Sequence, residues 1–367
     1  MNQSVSQEST SSIFSSKRWS LFSSGNYPYV CARVRAKRAL IFPQDVYAKL
    51  LMMDTHEITR FLGESHYKKE ITELGLTYSG FELTELALNR NLAEVYQQIL
   101  GFCEGDLLTM LTAYLQREDI FNIITILRGK SYNAKTEDIT RSIRSAGKYP
   151  ESYWKSIIEK SNTVEETIDN LRENDYYKTL KEMKNEWGIH PAECENKLQQ
   201  QYYKILLNSI SARSEANQLF LEFIRREIDL VNIKTLLMTK FENVELTNIT
   251  SMLLNGGNLT EKNIQKLTNS KYFKEFLEEL QRAPEYSKIR DKISTIEQTG
   301  SLSHVIRALE KQHLTQATKS SYLHPLSILP ILDYLIRKKI EVENLRILAR
   351  GKEKKLPELV MKEMLVM

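Results

Sequence analysis

The stretch Asp119-Ile-Phe-Asn122-Ile-Ile-Thr-Ile-Leu-Arg128-Gly129-Lys130 decides the fold, because two further versions of it follow in the chain. They occupy residues 229–240 and 341–352, so consecutive versions begin 110 and 112 residues apart. In each version an acid opens the stretch, an asparagine follows three residues later, and a lysine closes it. This regularity predicts that one structural unit occurs three times.

A second, independent pattern recurs in the same order. A tyrosine lies five residues after a leucine, and a lysine lies two residues after the tyrosine. The three copies run from Leu62 to Lys69, from Leu171 to Lys178 and from Leu267 to Lys274. Two patterns that keep one order through three consecutive stretches make chance matching a poor explanation. The chain is therefore interpreted as a threefold repeat.

Composition favours helix nearly throughout. The 367 residues include 13 glycines and 8 prolines, well below average usage of about 7% and 5%. No region alternates polar and apolar residues as a half-buried strand would. We expect an all-α protein of three homologous helical bundles, with about six helices in each. The expected divisions are a disordered serine-rich tail at 1–24 and repeats at 25–135, 136–245 and 246–367.

Charge and cysteine usage exclude several classes of protein. The 51 basic and 47 acidic side chains leave a formal charge of only +4, so no nucleic-acid partner is expected. Three scattered cysteines are too few for a disulfide framework or a zinc cluster and fit a reducing cytoplasm. No run reaches the roughly 18 to 20 apolar residues that span a bilayer. We expect a soluble protein.

Two fragments resemble catalytic motifs but lack the residues that those motifs need. Gly129-Lys130-Ser131 resembles the end of a phosphate-binding loop, yet Ile124 stands where the first glycine is required. A helix C-cap with a cationic last turn explains this fragment better. His56-Glu-Ile-Thr-Arg60 has arginine in place of the second histidine of a zinc protease. The sequence predicts no catalytic residue, no cofactor and no metal site.

The densest basic stretch is Arg33-Val34-Arg35-Ala36-Lys37-Arg38. On a helix its cations lie on the outer faces, while Val34 and the nearby Val30 and Ile41 remain for the core. Two explanations stay open for it. The stretch is either a solvated amphipathic helix or a surface for anionic lipid or an acidic partner.

These segments resemble one family, the C subunit of archaeal-type (A-type, and related bacterial V-type) rotary ATP synthases. Its eukaryotic relative is the d subunit of the vacuolar ATPase. The resemblance covers about residues 27 to 355, nearly the whole folded chain. It is carried by Tyr27 to Ala36, Ala87 to Ala93, Asp119 to Lys130, His324 to Ser327, and Asn344 to Lys352.

The resemblance implies a funnel of three helical bundles about a pseudo-threefold axis. Its wide mouth would take the central-stalk subunits D and F, and its narrow base would rest on the proteolipid (c/K) ring. It implies a non-enzymatic rotor protein, peripheral on the cytoplasmic face and reaching the membrane only through the ring. Such a protein couples ATP synthesis or hydrolysis to proton or sodium transport. From the residues alone, an open superhelix fits a repeat as well as a closed funnel.

Four arginines are predicted to contact the rotor partners because they cluster or recur in the chain: Arg33, Arg35, Arg128 and Arg350. Two other functions remain as alternatives. An all-helical scaffold or adaptor unrelated to ATP synthesis fits the repeats equally well. An enzyme has only the Gly129-Lys130-Ser131 fragment in its favour.

Overall fold

The computed structural model describes residues 25–187, 190–242, 246–270, 272–282 and 301–366. Within these residues the regular structure is α-helical and no strand occurs, which confirms the expected all-α class. The predicted tail at 1–24 lies outside the described residues.

Eighteen helices lie in the described part of the chain, and we number them in order. Residues 25–135 contain α1 Tyr27–Arg38, α2 Gln44–Leu50, α3 Thr55–Gly63, α4 Lys68–Leu74, α5 Gly80–Phe102 and α6 Gly105–Ser131. Residues 136–245 contain α7 Thr136–Arg141, α8 Glu151–Lys160, α9 Val164–Asn170, α10 Tyr177–Glu182, α11 Pro191–Ser209 and α12 Glu215–Phe241. Beyond 245 lie α13 Leu246–Met252, α14 Glu261–Asn269, α15 Phe273–Arg282, α16 Ser303–Leu323, α17 Leu329–Glu353 and α18 Glu358–Met364.

The three recurring stretches lie in the second halves of three long helices, α6, α12 and α17. These helices have 27, 27 and 25 residues. Their starts follow local rules. The Ser214 side chain caps α12 by accepting from the Asn217 amide. Pro330 lies in the first turn of α17, where its missing N–H costs no hydrogen bond.

The end of α6 differs from the expected glycine cap. The left-handed residue after the helix is Asn133, with φ of 52°, and the Ala134 amide donates to the Gly129 carbonyl at 2.8 Å. Gly129 therefore lies within the last turn and does not cap it. A Cβ at Gly129 would overlap Ile139 of α7, so this glycine allows close helix packing. Gly351 has the same place in α17.

The packing of the long helices forms a cycle. The helix before each long helix packs on the long helix of another predicted repeat: α11 on α6, α16 on α12, and α5 on α17. The last of these pairings joins the first predicted repeat to the third. Every predicted repeat is thereby held by both of the others.

The apolar core follows this cycle. One continuous cluster of buried side chains runs from α1 through α12 to α17 and α18. A smaller cluster lies between the second half of α12 and helices α13 to α16. The copies thus share most of their core, because a helix placed between two long helices buries apolar surface against both.

Candidate functional site

Each recurring asparagine holds the backbone of a residue 22 positions further on. The Asn122 side-chain amide donates to the Arg144 carbonyl at 2.7 Å, and its oxygen accepts from the Arg144 amide at 2.9 Å. Asn232 holds Leu254, and Asn344 holds Val366, with the same two bonds at 2.7 to 3.0 Å. All three asparagines are buried. We call each of these arrangements an asparagine clamp.

The acids that open the first two stretches bind backbone amides a few residues beyond the residue that the asparagine binds. Asp119 accepts from the amides of Lys148 at 2.8 Å and Tyr149 at 3.4 Å. Asp229 accepts from the amides 29 and 30 positions ahead, both at 3.0 Å. Burial raises the pKa of the Asp119 carboxyl to about 7, although the two amide bonds oppose the shift. Gly147 makes this contact possible, because a Cβ there would overlap the carboxylate.

The third acid, Glu341, has a different role. It accepts from the Tyr67 hydroxyl and the Lys338 ammonium, both at 2.7 Å, and lies 3.0 Å from His66 Nε2. The Phe42 amide donates to its other oxygen at 2.7 Å. Burial alone would raise the pKa of Glu341, but His66 and Lys338 outweigh it and lower the pKa to about 2. This cluster joins the residues just before α2 and α4 to α17.

The lysines that close the first two stretches are structural. The Lys130 ammonium donates to the Ile158 carbonyl at 2.9 Å, and Lys240 donates to the carbonyls of Thr268 and Ser270. Burial lowers the pKa of Lys130. Because Lys130 is buried and its backbone belongs to a regular helix, Gly129-Lys130-Ser131 does not form a phosphate-binding loop.

A charged junction, which was not predicted from the sequence, lies where the three long helices approach one another. Arg117, Glu227 and Lys339 each stand two positions before an opening acid. Arg117 pairs with Glu227 at 2.8 Å, and Lys339 lies 3.7 Å from the buried Glu118. The Tyr203 hydroxyl also donates to Glu227 at 2.8 Å. These pairs line or border a cavity of about 200 Å³ between α6, α12, α16 and α17.

One sequence feature could have indicated the junction. The position two before the acid is charged in all three stretches, in the order arginine, glutamate, lysine. Opposite charges at equivalent positions of a repeat are complementary when the repeats face one another. Neither periodicity nor composition reveals that facing arrangement.

Arg33 and Arg35 lie on the exposed side of α1, while Val30 and Val34 are buried as predicted. The Arg33 guanidinium lies 5.3 Å from the ring centres of both Tyr29 and Phe102. Arg35 donates to the Pro325 carbonyl at 2.8 Å. Both residues therefore have intramolecular contacts and also face solvent.

Arg128 and Arg350 occupy equivalent positions near the ends of α6 and α17. Arg128 forms a two-pronged ion pair with Glu195, and Arg350 lies 3.3 Å from Glu85. Their side chains remain 58% and 57% exposed. The structure does not bring the four predicted arginines together into one site.

In the described part of the chain, none of the helices is both long enough and apolar enough to span a bilayer. The described residues also contain no group of three or more histidine, cysteine, aspartate or glutamate side chains placed to hold a metal ion.

A family model described as ATP synthase (C/AC39) subunit matches residues 30–364. The chain therefore belongs to the ATP synthase (C/AC39) subunit family, which confirms the resemblance drawn from the sequence. Membership in this family rules out the alternative of a scaffold unrelated to ATP synthesis.

Three curated relatives are each named as the C subunit of an A-type ATP synthase. The protein from Methanococcoides burtonii is 41% identical over 346 residues, which are 94% of this chain and 95% of the relative. The protein from Methanosarcina acetivorans is 41% identical, covering 93% of each chain. The protein from Archaeoglobus fulgidus is 32% identical, covering 90% of this chain and 93% of the relative.

Proposed function

We propose that this chain is a non-catalytic rotor subunit of an A-type or V-type ATP synthase. It links the central-stalk subunits D and F to the membrane proteolipid ring, on the cytoplasmic face. ATP synthesis or hydrolysis is thereby coupled to proton or sodium transport. Membership in the family supports a place in an ATP synthase complex. The helix packing of this chain supports a mechanical role in that complex.

The observation that carries the proposal is the cycle of helix packing. Since α5 packs on α17, a force applied to any one repeat reaches the other two by two routes. This supports a closed funnel of three bundles at 25–135, 136–245 and 246–367 over an open superhelix. Close-packed helical interiors have low compressibility, so such a body transmits strain with little deformation.

A largely buried ion pair also supports rigidity at the junction, where Glu227 is buried and Arg117 is half-buried. If one long helix slid by a turn, the Arg117–Glu227 pair would separate inside the protein. An unpaired buried charge costs several kcal/mol, about 3 to 5 when one partner is lost. The long helices therefore keep one register, as a shaft coupling requires.

Binding experiments with the purified chain test the proposal. We expect the chain to bind the D–F heterodimer and detergent-solubilised proteolipid rings, and to hydrolyse no ATP. Failure to bind either partner would contradict the rotor role, and hydrolysis of ATP by the chain alone would contradict its non-catalytic nature. Electron micrographs of the purified chain should contain three lobes around a hollow; an extended superhelix would exclude the funnel.

A further inference from the structure

A shallow groove runs along α16 on the side away from the charged junction. It has a volume of about 560 Å³ and lies between the outer face of α16 and Arg337 of α17. Leu314 lies along the groove, and Tyr322 and Leu323 lie at its C-terminal end. Tyr322 and Leu323 are 71% and 66% exposed, and Leu326 in the following turn is 58% exposed. We call this surface the α16 groove.

The α16 groove is cationic. Its lining includes Lys311, Lys319 and Arg337, and the described residues that line it include no acid. The carboxylate of Asp333, one turn before Arg337, is fully buried. It pairs with Arg337 at 3.1 Å and with Arg38 at 2.8 Å. Two guanidinium groups thus share one carboxylate, and the surface keeps a net positive charge.

The order of side chains along α16 fits a helical partner better than a membrane surface. Lys311, Leu314, Lys319 and Leu323 alternate charged and apolar groups over about 18 Å of helix. A membrane-binding surface instead segregates its apolar side chains at one depth and its cations at another. A helix lying in a groove presents apolar anchors and flanking charges at the same spacing as this lining.

Two segments of the chain outside the described residues are poor candidates for the groove. Residues 1–24 contain one acid, Glu8, against Lys17 and Arg18. Residues 283–300 contain three acids and three basic residues. Neither segment supplies the negative charge that complements the groove.

We propose that the α16 groove binds an acidic amphipathic helix of another protein of the assembled complex. Apolar side chains of that helix cover Leu314, Tyr322 and Leu323. Its carboxylates face Lys311 and Lys319. This inference specifies the chemistry of a partner and stands whether or not that partner belongs to the central stalk or the ring.

Photocrosslinking in the purified, assembled ATP synthase tests the inference. A photoreactive amino acid replaces Tyr322, whose exposure makes the replacement tolerable, and mass spectrometry identifies the crosslinked peptide. We expect the crosslinked peptide to come from an acidic helical segment of another subunit. Lys319→Glu should reduce the crosslink at least about fivefold through charge repulsion. As a charge control, Lys204→Glu on the exposed face of α11 should leave the yield of the crosslink unchanged. As a position control, a photoreactive residue at Leu76, which is 90% exposed, should not capture the same segment.

Each other outcome overturns the inference. A lipid adduct would identify a membrane surface, and a peptide of this same chain would identify an internal lid. A neutral or basic partner segment, no crosslink at all, or a yield insensitive to Lys319→Glu would contradict the proposed chemistry. The inference and the rotor function can fail separately, because an acidic helix from any other subunit of the complex is the expected result, whereas the rotor function depends on binding to the D–F heterodimer and the proteolipid ring.

Discussion

Asn122 satisfies both backbone groups of Arg144 because its short side chain carries one acceptor and one donor in a plane. Aspartate would lack the donor, and leucine would leave both backbone groups unpaired in a buried place. The same argument applies at Asn232 and Asn344. This physical requirement explains why asparagine recurs while the residues around it vary.

Replacing the clamp should destabilise the fold. We expect Asn122→Ala to lower the free energy of unfolding by about 3 kcal/mol, because it leaves a buried N–H and C=O without partners. Urea unfolding measures the change. The control Asn263→Ala, at an exposed helix position, should change stability by less than about 0.5 kcal/mol. Equal effects of the two variants would mean that the clamp contributes nothing.

The glycine beside Asp119 gives a second prediction. A methyl group at Gly147 would displace the Asp119 carboxylate, so Gly147→Ala should cost about 2 kcal/mol. Gly101→Ala is a matched control, because a Cβ at Gly101 meets no atom within 4 Å. This control should be neutral or stabilise by up to about 1 kcal/mol, since glycine is a poor helix former. In thermal melting, only Gly147→Ala should lower the melting temperature; a Gly147→Ala protein as stable as the parent would contradict the close approach.

At the scale of helices, the α5–α17 contact contains two arginines that share one partner. Arg346 pairs with Glu85 at 2.6 Å and donates to Asn89, and its side chain is only 12% exposed. Arg350 reaches the same carboxylate from solvent. Burial should therefore decide which of the two pairs stabilises the contact.

We expect Arg346→Ala to cost about 3 kcal/mol, because it leaves the Glu85 carboxylate largely desolvated without its main partner. Arg350→Ala should cost less than about 1 kcal/mol, since solvent screens an exposed pair. Denaturant unfolding of the two variants side by side measures the difference. Similar losses would show that burial does not distinguish the pairs.

The stability that Glu341 of α17 provides, through its contacts with Phe42, His66 and Tyr67, should be lost at acid pH. The pKa of Glu341 is about 2 in the folded protein, against an ordinary value of 4.5. A lowered pKa means that the stabilisation is complete above about pH 4.5 and is lost as pH falls towards 2. Its size is about 3 kcal/mol, from 1.36 kcal/mol per pKa unit.

Glu341→Gln should therefore be less stable than the parent protein at pH 6, and the difference should shrink between pH 4.5 and 2. Urea midpoints across this range measure it. Glu261→Gln, in the exposed first turn of α14, should differ from the parent protein by less than about 1 kcal/mol at any pH. A difference between Glu341→Gln and the parent that stays constant with pH would exclude Glu341 as the titrating group.

For the whole molecule, the proposed interface on α1 is testable in the assembled complex. Reversing both charges, Arg33→Glu with Arg35→Glu, should reduce co-purification of the chain with its partner subunits at least about fivefold, because rim charges steer association. Lys204→Glu should assemble normally. Undiminished assembly of the double variant, with an unchanged melting temperature, would remove these two arginines from the interface.

The sequence predicted some parts of the candidate site and missed others for a physical reason. Spacing within one helix identified Asp119, Asn122 and Lys130 as a recurring set, because their positions relative to one another follow from helix geometry. Their partners lie 22 to 30 residues away across a turn, beyond the reach of any local pattern. The prediction that Gly129 caps α6 was wrong. Glycine is required there because Ile139 packs closely against it, and not because the backbone turns at that residue.

By itself, the sequence determined the helical class and the three recurring stretches, since these follow from composition, periodicity and local spacing along one chain, while the family was indicated by motifs that resemble it. The repeat boundaries near 136 and 246 stay predictions, and the clamps of Asn122 and Asn232 run across both. Only the tertiary structure decided which helices pair, that α5 meets α17, and that Arg117 and Glu227 face each other. These features depend on contacts between residues far apart in the chain, from 67 positions for Arg128 and Glu195 to 261 positions for Glu85 and Arg346, and the energies of these contacts exist only once the helices have packed.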